Sequence, residues 1–102
     1  MGATKEKAVV GDLKFYRAVR LGNFAWKVYF FDAEGQRWKA IVTARRYFVV
    51  TEPNPTGVRV TIQPLKQHNP QFSVDWRKVG FPTEKGEAVL LVTLTLSEMG
   101  VL

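Results

Sequence analysis

The sequence predicts an all-β protein: a small antiparallel meander of five or six strands closing into a partly open, OB-like barrel, with a compact β-sandwich as the alternative. Three observations carry this expectation. Apolar and polar residues alternate with period two along most of the chain, and no stretch repeats convincingly at the helical period. Gly, Asn, Asp and Pro gather between the alternating runs, where turns belong. A chain of 102 residues holds one domain. That domain is expected over residues 8–102, behind a short polar tail at residues 1–7.

The first strand is read from Leu13 to Leu21, the second from Phe24 to Phe31 and the third from Gln36 to Thr51. Gly22-Asn23 reads as a two-residue hairpin loop, because both residue types tolerate positive φ. Asp32-Ala33-Glu34-Gly35 reads as a type I turn closed by a left-handed glycine. The first loop pairs Leu21 with Phe24, Val19 with Trp26, Arg17 with Val28 and Phe15 with Phe30. The second sets Phe30 near Trp38, Val28 near Ala40 and Trp26 near Val42. One face is then almost wholly apolar, with Arg17 its misfit, read as snorkelling to water from a sheet edge.

A third strand of sixteen residues is far longer than the usual ~5–6 and implies a bend, expected as a bulge near Ala44-Arg45-Arg46. Residues 52–57 (EPNPTG) form a loop. Val58 to Ile62 is a fourth strand, with Val58, Val60 and Ile62 inward and Arg59, Thr61 and Gln63 outward. Residues 64–82 are the least legible and hold either a short strand from Gln71 to Val74 or a helical turn opening at Ser73. Trp76 there, beside Val74, Val79 and Phe81, is expected to plug the core. Glu84-Lys85-Gly86 reads as a turn, and Glu87 to Leu96 as a final strand apolar enough to be covered on both faces.

Charge placement is the most informative feature. Residues 13–50 carry eight basic side chains against Asp32 and Glu34, an excess that equals the whole net charge of +6. Such concentration points to an electrostatic footprint. By parity, the second face of the meander carries Tyr16, Tyr29 and Phe31 among Lys14, Arg20, Lys27, Arg37 and Lys39. Rings on a sheet offer bases a stacking surface, and interleaved cations neutralise phosphates. Arg45 and Arg46, at the expected bend, would clamp a backbone at the rim. These ten residues are the candidate site, and single-stranded DNA or RNA, bound with little sequence specificity, is the expected partner. The competing reading makes the same rings ordinary cross-strand pairs, or buries them beneath the last strand.

Other chemistry finds little support. The chain has no cysteine, which removes disulfides, thiolate catalysis and cysteine-ligated zinc. His68 is its one histidine, in a loop by composition, with no orienting partner in view. The acids are scattered through turns, and neither a Gly-rich phosphate loop nor a nucleophile motif is present. The expectation is a protein that is not an enzyme and uses no cofactor and no metal. Met1 to Lys7 lacks an apolar signal core, and the longest apolar-rich run, Ala88 to Leu96, falls far short of the ~20 residues that span a bilayer. A cytoplasmic protein without membrane contact is expected. The alternative to nucleic-acid binding is an assembly protein, a possible homodimer formed through strand edges or through Val89 and Leu91 on the non-core parity of the last strand.

Overall fold

The computed structural model describes residues 12–46, 56–66 and 72–100. Five strands, β1 (Lys14–Leu21), β2 (Ala25–Phe31), β3 (Arg37–Arg46), β4 (Thr56–Pro64) and β5 (Phe72–Arg77), precede one helix, α1 (Lys85–Glu98). The strands form a single antiparallel sheet in chain order, β1-β2-β3-β4-β5. The sheet is open: β1 and β5 are its two edges and do not pair, so the expected barrel does not form. A second layer, α1, closes the core from one side instead. The expected N-terminal tail, His68 and Tyr47 to Thr51 lie outside the described residues.

The β2–β3 hairpin forms in the expected register, with Phe30 opposite Trp38, Val28 opposite Ala40 and Trp26 opposite Val42. Its turn is organised by Asp32. One carboxylate oxygen accepts the backbone N–H groups of Glu34 and Gln36, both at 2.9 Å, and the other accepts the Trp38 indole N–H at 2.9 Å. Gly35 takes the left-handed conformation (φ 81°) that the turn requires. An acid read as a turn residue is thus buried and holds the core tryptophan.

The β1–β2 hairpin departs from expectation. Its loop has three residues, Gly22-Asn23-Phe24, so Leu21 pairs with Ala25, Arg20 with Trp26 and Ala18 with Val28. A bulge between Phe15 and Arg17 then restores Phe15 to Phe30. The physical reason is Arg17. A two-residue loop would seat its guanidinium against the fully buried Val28, and an unpaired charge there is costly. The longer loop and the bulge turn Arg17 outward and Ala18 inward. Phe24, expected in the core, is exposed.

The ladder between β3 and β4 runs without a shift through Arg46 opposite Thr56, so no bulge interrupts β3 at Ala44-Arg45-Arg46. Thr56 and Gly57, expected in a loop, already belong to β4. Val58, Val60 and Ile62 point inward as expected and are fully buried. The less legible segment resolves into β5. Trp76 packs on the core and donates its indole N–H to Thr95 Oγ1 at 2.8 Å.

The final element is a helix, not a strand. Val89, Val92, Thr93 and Thr95 favour strands, but packing overrides so weak a preference. Ala88, Leu91, Val92, Thr95 and Leu96 are the buried positions, at helical spacing. The two threonines are accommodated by bonding backward along the helix: Thr93 Oγ1 donates to the Val89 carbonyl at 2.9 Å and Thr95 Oγ1 to that of Leu91 at 2.8 Å. At the N-terminus, Glu87 Oε1 accepts the backbone N–H of Thr83 at 3.0 Å and of Glu84 at 3.2 Å, and the Thr83 hydroxyl at 2.7 Å. These bonds hold the Glu87 carboxyl below its ordinary value, the Thr83 hydroxyl being the largest cause. Leu91 is therefore buried and Val89 half-buried, so neither offers the assembly surface expected of a strand.

Candidate nucleic-acid interface

With α1 packed on the face of Trp26, Val28, Trp38 and Val42, the opposite face of the sheet carries no described element. The ladder pairings place its residues in cross-strand rows. Lys14, Phe31 and Arg37 form one row, and Arg17, Tyr29, Lys39 and Gln63 the next. Val19, Lys27, Ile41, Thr61 and Ser73 follow. Beyond them lie Leu21, Ala25, Thr43, Arg59 and Asp75, and then Arg45, Gly57 and Arg77. Eight cations share this face with one acid, Asp75, which Arg59 engages in a forked pair at 2.6 and 3.1 Å. Such a field attracts polyanions.

The three expected rings are brought together. Tyr16 lies at the β1 bulge, its ring centroid 4.7 Å from Phe31 and 6.1 Å from Tyr29. Tyr16 is exposed, at 46%, while Tyr29 and Phe31 are half-buried by their neighbours. Two guanidiniums lie over the cluster, Arg17 at 5.9 Å from the Tyr29 centroid and Arg37 at 5.5 Å from that of Phe31. The last segment does not cover these rings, because it is a helix on the far side of the sheet.

Eight of the ten expected site residues lie on this surface; Arg20 and Arg46 do not. Lys14, Lys27, Arg37 and Lys39 project from it with the three aromatics, and Arg45 stands exposed at its far end. Arg46 is exposed at the end of β3, on the parity of the helix side. Arg20 is corrected. The three-residue loop turns it to the helix side, where its guanidinium lies 5.9 Å from the Trp26 ring and 5.6 Å from that of Phe81. Its place is taken by Arg17, the supposed misfit of the core.

Arg59 and Arg77 were missed as members of the face. The outward parity of Arg59 was legible, but the balanced charge of residues 51–102 concealed that both arginines share a surface with the basic first half. Two shallow depressions flank the tip of the β2–β3 hairpin. One, of about 470 Å³, is lined by Arg37, Pro64 and Lys66, and the other by Lys14, Phe31 and Gly35. Each presents a cation beside the aromatic cluster. No group of three His, Asp or Glu side chains suited to a metal ion occurs among the described residues. No helix among them is long and apolar enough to cross a membrane. Comparison with protein-family models, with curated proteins and with solved structures gave no match to this chain.

Proposed function

We propose that the helix-free face of the sheet binds single-stranded nucleic acid, DNA or RNA, by stacking bases on Tyr16, Tyr29 and Phe31 and neutralising phosphates with the surrounding cations. The observation that carries this reading is the composition of one surface: three touching aromatic rings, eight cations and a single acid already engaged by Arg59. A sheet face that was merely solvated would mix its charges, and a face awaiting a protein layer would be apolar throughout. Rings alone would be ordinary cross-strand pairs. Rings interleaved with cations match the two needs of a nucleotide, a flat surface for the base and a positive charge for the phosphate. An open sheet offers such a strand a shallow track with little to read on base edges, so weak sequence preference is expected.

Titration of labelled single-stranded oligonucleotides at several salt concentrations tests the proposal. Six face cations from the first three strands, Lys14, Arg17, Lys27, Arg37, Lys39 and Arg45, would together give a log–log salt slope of about −4, at roughly −0.7 per neutralised phosphate. A slope near zero removes the electrostatic half of the proposal, and absence of binding at low salt removes all of it.

A further inference from the structure

Three of the most exposed large apolar side chains, Phe24 at 71%, Leu90 at 58% and Leu94 at 47%, border one continuous surface that meets the cationic face at Arg45 and Gly57. It consists of two depressions that share Val79, Gly80 and Phe81 as their common floor. One lobe runs along α1 past Leu90 and Leu94, with Glu87 at its rim. The other passes Phe24 and Ala44 and ends at Arg45 and Arg46. A helix apolar on nearly every side is normally covered on every side, and α1 leaves its Leu90–Leu94 stripe bare.

The charges lining the two lobes, Glu87 in one and Arg46 in the other, identify the occupant. A two-fold interface must be self-complementary, each copy meeting the same patch turned around. An axis through the shared floor near Phe81 lays the Leu90–Leu94 lobe of one copy over the Phe24 lobe of the other. It also sets the lobe that carries Glu87 against the lobe that carries Arg46, so opposite charges meet on both sides of the axis. The side-by-side arrangement, like lobe on like lobe, would oppose Glu87 to Glu87 and the arginines to one another. We infer that this surface seats a second copy of the same chain in a two-fold dimer centred on Phe81. The dimer needs nothing from the nucleic-acid reading, and it leaves the Tyr16–Tyr29–Phe31 face of each copy open.

Sedimentation of the full chain tests the inference. The expected species has twice the 11.6 kDa chain mass at micromolar concentration and above. Leu94→Glu places a charge in the apolar lobe and should weaken association by ~10-fold or more. Phe24→Ser does the same from the other lobe, in a turn rather than in the helix, so a folding defect in one variant leaves the other to decide. The geometry is read by cross-linking, which is clean because the chain has no cysteine of its own. A mixture of Leu94→Cys and Phe24→Cys copies should oxidise to a mixed disulfide faster than either variant couples to itself. A monomeric wild-type chain overturns the inference. So does a dimer untouched by both lobe variants, or Leu94→Cys coupling to itself faster than to Phe24→Cys.

Discussion

Tyr16→Ala separates a binding ring from a structural one, with Trp26→Ala as its opposite number. Tyr16 is nearly half exposed, and its ring lies beside Phe31 and Tyr29 on the outer face. Losing those contacts costs about 1 kcal/mol of stability, the scale of one aromatic pair on a sheet. In a domain of this size that lowers Tm by about 4–8 °C. A ring that stacks on a base is worth about 1–3 kcal/mol to binding, so Kd should rise by about 5- to 150-fold. Trp26, by contrast, is 4% exposed, and its indole N–H donates to the Pro82 carbonyl at 2.8 Å. Its removal opens a cavity costing about 3–5 kcal/mol, a large share of a typical stability of about 5–15 kcal/mol. The folded fraction of Trp26→Ala should nonetheless bind oligonucleotide normally, since Trp26 lies on the helix side. Fluorescence anisotropy with a labelled oligonucleotide and thermal melting by circular dichroism, on the same samples, give both numbers. A folded Tyr16→Ala protein that binds as tightly as wild type would refute the stacking role.

Three further outcomes follow from the same geometry. Arg17→Ala should weaken oligonucleotide binding and flatten the salt slope by about 0.7, whereas Arg20→Ala, three residues along but on the other face, should leave the slope unchanged. Salt titrations of the two variants side by side check this. Asp32→Asn keeps one oxygen for the Glu34 and Gln36 N–H groups but turns an amide N–H toward the Trp38 indole N–H. The clash of donors should cost about 2–3 kcal/mol, read by denaturant unfolding. Glu87 is held below its ordinary value of 4.5, so the stability it lends the helix is full above that value and fades as pH falls through it toward the lower folded value. The difference in Tm between wild type and Glu87→Gln should therefore be greatest near neutrality and shrink in acid.

Much of the sheet was legible because its constraints are local. Asp32 and Gly35 define a turn by their own chemistry, and the turn fixes which side of β2 and β3 faces inward. The helix was not legible, because residues 88–92 are apolar at every position and fit either period. Its cap is built from Thr83, Glu84 and Glu87, but Glu84-Lys85-Gly86 also reads as a turn, and the Val and Thr residues beyond it favour a strand. The deciding information was non-local. An open sheet with Trp26, Val28, Trp38, Ala40, Val42, Val58, Val60 and Ile62 on one face needs a cover that reaches across its strands. Five strands spaced ~4.8 Å apart are about 19 Å wide. A 14-residue helix is about 21 Å long, whereas one more strand would have extended the sheet and covered nothing.

Two of the expected site cations, Arg20 and Arg46, lie on the helix side, and the misplacing of Arg20 shows how the open face is made. Phe15 and Ala18 both pack on the core, yet they lie three residues apart. A regular strand turns every second residue to one side, so an odd spacing forces one extra residue between them. That residue is Tyr16, left unpaired at the bulge between Phe15 and Arg17. The bulge does two things at once. It removes the guanidinium of Arg17 from the core, and it sets a tyrosine and an arginine side by side on the open face, the ring against Phe31 and the cation over Tyr29. Neighbours in a regular strand point to opposite sides and cannot cooperate on one ligand. On the proposed reading, these two cooperate as base platform and phosphate partner for the same nucleotide. The irregularity that the core requires is therefore also what places an aromatic ring beside a positive charge on the open face.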